Sequence, residues 1–516
     1  MMKMAKLGKL ALSFSLGLTL LAGCGGSGGT TSGGEVTINL GSEPPEMNSF
    51  LDTDSGNVLR HVIVGLTTLD QNDEAAPGVA ESWTTSEDGL TYTFKLRADA
   101  KWNNGDVITA NDFVFAWNQL FSTYNGADYA STWAVMFEGA EELMAATQTE
   151  EDAKSEAGQA AYANVGWKAL DDSTLEVKFT GPYPYALSVL AFYNLAPISE
   201  KLYNEYGGID YYGKEADKMA YNGPYTVTQW VHEDSLVMEK NPNYWDADSI
   251  NIEKINCRMI KDTGAALNEF ENGTIDMIGL NGEQAKDYRA KGENVQSFDD
   301  GSIWYLEFNT KRAGMNNAKV RKALTLGVDV EQYVANVVLN ESKPAQSFTA
   351  TSVNGGEFSE KVGTVWNRSN DYTEAKKLLE EGLAEEGLTL DTFKPVLVGD
   401  VGDTGKKTYQ FVQEQLKKNL GVTMEIDQVE FKTRLQRMSD GDFDIVWAGW
   451  SCDYNDPMSY LDLWITDGGN NHGKWSNAEY DALIKAAYRE KDVEKRTQEL
   501  LDAEKISAEE VPSGPM

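Results

Sequence analysis

Histidine is nearly missing from this chain of 516 residues, which holds only His61, His232 and His472. Histidine is the usual general base and a frequent zinc ligand. None of the three belongs to an HExxH motif or to a Cys/His cluster with zinc spacing, so no metal centre is expected. His472, among the loop formers of "GGNNHGKWSN", is expected to face solvent. A GxSxG elbow, a Walker A loop and a GxGxxG following a strand are missing too, and "GGIDYYG" (207–213) reads as a turn. Carboxylates are abundant enough for close pairs to arise by chance, but no spacing singles out a glycosidase-like acid and base. These gaps argue against an enzyme, and no cofactor is expected. A binding protein is the better class.

Cysteine is as scarce, at three residues, which excludes a disulfide framework. Long apolar runs are absent except one, "LALSFSLGLTLLAGC" (10–24), too short for a comfortable membrane span and preceded by Lys3, Lys6 and Lys9. That pattern is an export signal over residues 1–23. Its end, Leu21-Ala22-Gly23-Cys24, resembles the bacterial lipoprotein lipobox, which implies that Cys24 becomes an acylated N-terminus held at a membrane surface. Residues 24–34 then form a flexible Gly/Ser tether reaching about 17–20 Å. Of the remaining cysteines, Cys257 and Cys452 can form at most one bond.

Basic residues are outnumbered, 45 against 81 acidic, for a formal net charge of −36. Three lysines leave with the signal, taking the mature chain to −39. Nucleic acid, whose phosphates would be repelled, is not an expected partner.

What is present alternates between strand and helix periods, the mark of α/β or α+β architecture. "TYTFKLR" (91–97) sets Tyr92, Phe94 and Leu96 on one face, and "LEVKF" (175–179) does the same with Leu175, Val177 and Phe179. Thr109 and Asp112 mark a helix start ahead of Phe113, Trp117, Leu120 and Phe121. Tyr480, Leu483, Ile484, Ala487 and Tyr488 mark another helix. Residues 138–162 are acidic and poor in large apolar groups, a solvated helical excursion or loop. Length alone argues for two or three domains. With no single Pro/Gly linker dividing the mature chain, those domains are expected to be discontinuous in sequence.

Several segments, in order, resemble the extracellular solute-binding proteins of peptide and nickel ABC transporters. They are "GLTTLD", "PGVAESWTTSEDGLTYTFKLRADAKWNNGDVITANDFVFAWNQL" (77–120), "NGPYTVTQWVHEDSLVMEKNPNYWDA" (222–247), "WYLEFNTKRAGMNNAKVRKALTLGVD" (304–329) and "DFDIVWAGWSCDYNDPMSYL" (442–461). The last resembles the oligopeptide-binding branch. This implies a class II periplasmic-binding-protein-like fold: two α/β lobes closing on ligand across a hinge, with a small α+β domain inserted in the first. By similarity, residues 35–63 and 198–301 form the first lobe, 64–197 the inserted domain and 302–516 the second lobe. Family members continue past Val511-Pro512 and return to the first lobe with a final strand. That return is missing here, which implies an exposed sheet edge and a weakened first lobe.

The resemblance also implies a site. Asp453 occupies the position of an aspartate that pairs with a peptide's free α-ammonium. Gly449 and Trp450 fall where the family lines its first ligand pockets. Tyr129, in "GADYASTW", matches a ligand-contacting tyrosine, and Phe431 takes the place of a pocket tryptophan. Some relatives carry cysteine where Ser451 stands, its partner near Ser302, and arginine where Trp447 stands, so their disulfide and their hold on a peptide carboxylate are not expected here. The implied function is capture of oligopeptides for an ABC importer's permease by a monomeric protein anchored at the outer face of the cytoplasmic membrane, or periplasmic. Within the family the alternatives are a dipeptide, a nickel chelate, haem, glutathione, an oligosaccharide or a signalling peptide; a secreted hydrolase is the alternative from another class.

Overall fold

The computed structural model describes residues 34–53, 55–71, 73–366 and 368–516. The expected export leader, Cys24 and nearly all of the expected tether lie outside the described residues. Three larger sheets organise the rest. The first runs in the order Glu35–Asn39, Lys254–Arg258, Ser235–Lys240, Tyr225–Val231, with the first pairing parallel (Val36 opposite Ile255) and the other two antiparallel. Its strands come from two distant stretches, so the chain leaves this sheet and returns to it.

The second sheet is built from that excursion: Ala80–Thr85, Thr91–Leu96, Thr174–Lys178 and Trp167–Asp171, all antiparallel. The period-two pattern works as expected, since Phe94 and Leu96 are buried while Lys95 is exposed, and Leu175 and Val177 are buried. Each such side chain contributes about 1.5–3 kcal/mol on burial. The Ala110–Leu120 helix packs on this sheet through Phe113, Trp117 and Leu120, with the Trp117 ring edge-on to Trp167. It starts where the Asp112 carboxylate accepts from Thr109 N (2.7 Å) and Thr109 Oγ1 (3.1 Å). Residues 138–162 are helical rather than looped: Ala140–Ala146, Glu150–Lys154 and Glu156–Ala163, the last two capped by the hydroxyls of Thr149 and Ser155.

The third sheet is mixed: Glu425–Val429, Val396–Asp400, Ile445–Ser451, Ser302–Phe308 and, pairing Pro515 with Tyr305, the short strand Ser513–Pro515. It separates two apolar cores. Ile303, Tyr305, Val446 and Ala448 face a core continuous with the first two sheets, while Leu306, Phe308, Ile445 and Trp447 face a second core under the helices Ala318–Leu326, Thr373–Glu385 and Asp403–Leu420. The ends of this sheet's strands carry the site.

Candidate ligand site

The strand Ile445–Ser451 is paired along both edges only at its start. On one side it matches Ser302–Phe308 over its whole length, out to Ser451 opposite Ser302. On the other, the parallel strand Val396–Asp400 pairs only at Ile445 and Val446. From Trp447 onward that second edge has no strand partner among the described residues. Arg434, held by Asp400 Oδ1 at 2.8 Å, donates to the Trp447 carbonyl from this side (3.4 Å). Alternate residues of a strand direct their backbone groups the same way. Gly449 and Ser451 therefore also turn N–H and C=O toward the open edge.

At the end of that edge stands Asp453. Its backbone N–H donates to Ser459 Oγ (2.8 Å), and the indole N–H of Trp450 donates to the Ser459 carbonyl (2.6 Å). Ser459 thus fixes both the turn and the tryptophan. Tyr129, reaching from the stretch that holds the second sheet, donates its hydroxyl to Asp453 Oδ1 at 3.2 Å. Burial, reinforced by the nearby Asp462 carboxylate, pushes Asp453 up to about 8 against the opposing pull of Tyr129 and of the more distant Arg60. Asp462, which accepts from Tyr488 OH at 2.9 Å, is itself raised to about 7, mainly by burial. Burial and the Asp453 charge also raise Tyr129 well above the ordinary phenol range, so it remains a donor. Among the described residues no lysine or arginine forms an ion pair with Asp453; its polar contacts are the Tyr129 hydroxyl and the Ser459 hydroxyl at its own amide.

Aromatic rings close the surroundings. Tyr129 stacks on Trp133 (5.8 Å, 21°) and packs on Phe192 (5.5 Å). Tyr454, next to Asp453, stacks on Tyr185 at 4.3 Å and 16°. Tyr185 in turn lies under the guanidinium of Arg496, which makes a two-pronged ion pair with Asp456, both contacts 2.8 Å. A half-buried carboxylate with a hydroxyl donor but no paired cation among the described residues, beside an open strand edge, suits a ligand that is a cation at one end and an amide chain along its length.

Of the residues singled out from sequence, Asp453, Trp450, Gly449 and Tyr129 come together here. Phe431 does not touch them. It opens the helix Phe431–Asp440, where its ring meets the Arg434 guanidinium at 5.0 Å. His472 is half-buried rather than solvent-facing: burial, with the Lys474 and Arg434 charges nearby, drops it to about 4, and its Nδ1 is buried with no partner among the described residues. Its loop is drawn inward because Gly473 N donates to the fully buried Glu307 (2.6 Å). Cys257 and Cys452 are free. Ser302 and Ser451 face each other across the sheet with hydroxyls 2.7 Å apart. Asp462, Arg60 and Ser459 escaped the sequence reading; only Asp462 and Ser459 carried a signal, by lying a few residues past Asp453.

Residues 74–472 match the model of the bacterial extracellular solute-binding proteins, family 5 (middle part). The oligopeptide-binding protein OppA of Bacillus subtilis is 34% identical over 533 aligned residues, covering 98% of this chain and 92% of that protein. A solved substrate-binding domain of an oligopeptide ABC transporter from Bacillus anthracis superposes with a TM-score of 0.84 at 34% identity, covering 93% and 92% of the two chains. Listeria monocytogenes OppA bound to peptide gives 0.84 at 31%, covering 94% and 93%. The chain belongs to family 5 of the bacterial extracellular solute-binding proteins, and its three sheets make up the two-lobed α/β fold with an inserted small α+β domain.

Proposed function

We propose that this family 5 chain is the substrate-binding component of an ABC importer and that it captures oligopeptides by their backbone and free N-terminal amine. One observation carries the reading: the open edge at Gly449 and Ser451 runs into a half-buried carboxylate that no lysine or arginine among the described residues pairs with. An extended peptide laid on that edge exchanges main-chain hydrogen bonds as an added strand, which is indifferent to side chains. Its α-ammonium supplies the counter-charge that Asp453 lacks, and the Tyr129 hydroxyl fixes the carboxylate for it. Trp450 lines the first pocket, and Phe431 lines a more distant wall. The peptide-bound Listeria relative supports this reading.

In this proposal the protein performs no covalent chemistry. Residues 35–63 and 198–301 move as one lobe, with 64–197 attached, and 302–516 as the other. Closure presents a surface to the permease. Acylated Cys24 anchors a monomer to the outer face of the cytoplasmic membrane.

The test is mass spectrometry of what a freshly purified protein, expressed from Cys24→Ser, releases on denaturation. The expected result is a mixed set of short peptides with free N-termini. A single non-peptide species, or a protein that neither carries nor takes up peptides, would reject the reading.

A further inference from the structure

The third sheet leaves one large ring unburied beside the open edge. Trp304 is 50% exposed, whereas Trp447, stacked against it at 5.8 Å and 15°, is 6% exposed and embedded against Tyr333 and Tyr409. Trp304 lies directly opposite Gly449 in the pairing. A Cβ at Gly449 would come 3.0 Å from the Trp304 ring, so glycine is what lets the indole lie flat across the neighbouring strand. The next pair on the same face is Ser302 with Ser451, both small and hydrogen-bonded to each other. The indole is thus a single apolar plate set among small residues. It is anchored from behind by Trp447 and by the Met516 N–H donating to its own carbonyl (2.8 Å).

On the peptide reading above, we propose that Trp304 is the floor of a side-chain subsite that selects an aromatic or branched apolar residue. Gly449 lies four positions before Asp453, at most roughly 13 Å along the chain since the strand ends at Ser451. A peptide with its amine at Asp453 therefore brings its third or fourth residue over the ring. Backbone pairing gives binding without preference; the indole adds preference at one position, because a flat apolar surface already stacked on a second ring is desolvated by an aromatic or branched side chain at little entropic cost.

The experiment uses pentaglycine with a free amine and its four variants carrying one Phe at position 2, 3, 4 or 5. Calorimetry is run on the intact protein, on Trp304→Ala and on Trp304→Phe. In the unmodified protein, Phe at position 3 or 4 is expected to bind about tenfold tighter than the glycine parent. Trp304→Ala should bring that gain to about twofold or less while leaving pentaglycine within about twofold of its original affinity, and Trp304→Phe should keep most of the gain. A gain that survives Trp304→Ala, or an equal loss for every peptide including pentaglycine, would overturn the subsite while leaving peptide capture standing. Failure of the unmodified protein to bind any of the five would overturn both.

Discussion

The turn that follows the strand Ile445–Ser451 holds two carboxylates three residues apart with opposite fates. Asp456 is closed off by Arg496 in a two-pronged pair that is stacked on Tyr185. Asp453 receives a tyrosine hydroxyl and no paired cation, while Asp462 adds like charge nearby. The first arrangement uses a cation of the helix Val493–Glu510 to hold the turn, with Tyr185 packed on its guanidinium. On the proposed peptide reading, the second leaves a charge site for something that arrives from outside. The difference separates a carboxylate whose partner lies inside the fold from one that the proposal keeps for a ligand.

The comparison breaks most visibly at Arg496. Arg496→Met leaves Asp456 buried without its partner and is expected to cost about 3–5 kcal/mol of stability, read from the urea midpoint. Asp453→Asn should do the reverse: no loss of stability at pH 8, but a loss of about 3 kcal/mol or more in affinity for free-amine peptides, a hundredfold or greater by calorimetry. Equal stability losses in the two variants would erase the distinction.

Titration sharpens it further. Asp453 is held up to about 8 in the fold, whereas an unfolded chain gives up that proton near 4. The unfolded state therefore binds fewer protons than the folded state between those values, and the contribution of Asp453 lowers stability as pH rises through that window. Asp462, raised to about 7, acts in the same direction. Binding an ammonium requires Asp453 ionised, so peptide binding at pH 6–7 should release close to one proton, visible as a dependence of calorimetric heat on buffer ionisation enthalpy. Asp453→Asn should abolish this, and proton uptake on binding would contradict the site. The smallest effect is expected from Tyr129→Phe, which removes one hydroxyl donor and should weaken peptide binding by about 1 kcal/mol with the fold intact.

Much of this was legible before any coordinates. The strands at 91–96 and 174–178 and the helix at 110–120 follow from alternation and from a Thr-x-x-Asp start, both local signals. The aspartate in "GWSCDYND" was singled out through its motif alone. His472 was misread because its neighbours are loop formers, yet the loop is pinned by Glu307, 166 positions away. The helical turns within 138–162 were half-read, since Thr149 and Ser155 cap helices too short to show an apolar stripe.

The sequence by itself determined which segments become strands and helices, and its ordered motifs carried the family resemblance, because these depend on residues within a few places of one another. Only the tertiary structure decided that Tyr129 meets Asp453 across 324 positions, that Asp462 and Arg60 bear on its charge, and that Trp304 lies bare over Gly449. Charge burial and ring exposure are set by what the folded chain brings around a residue, and no local pattern encodes that.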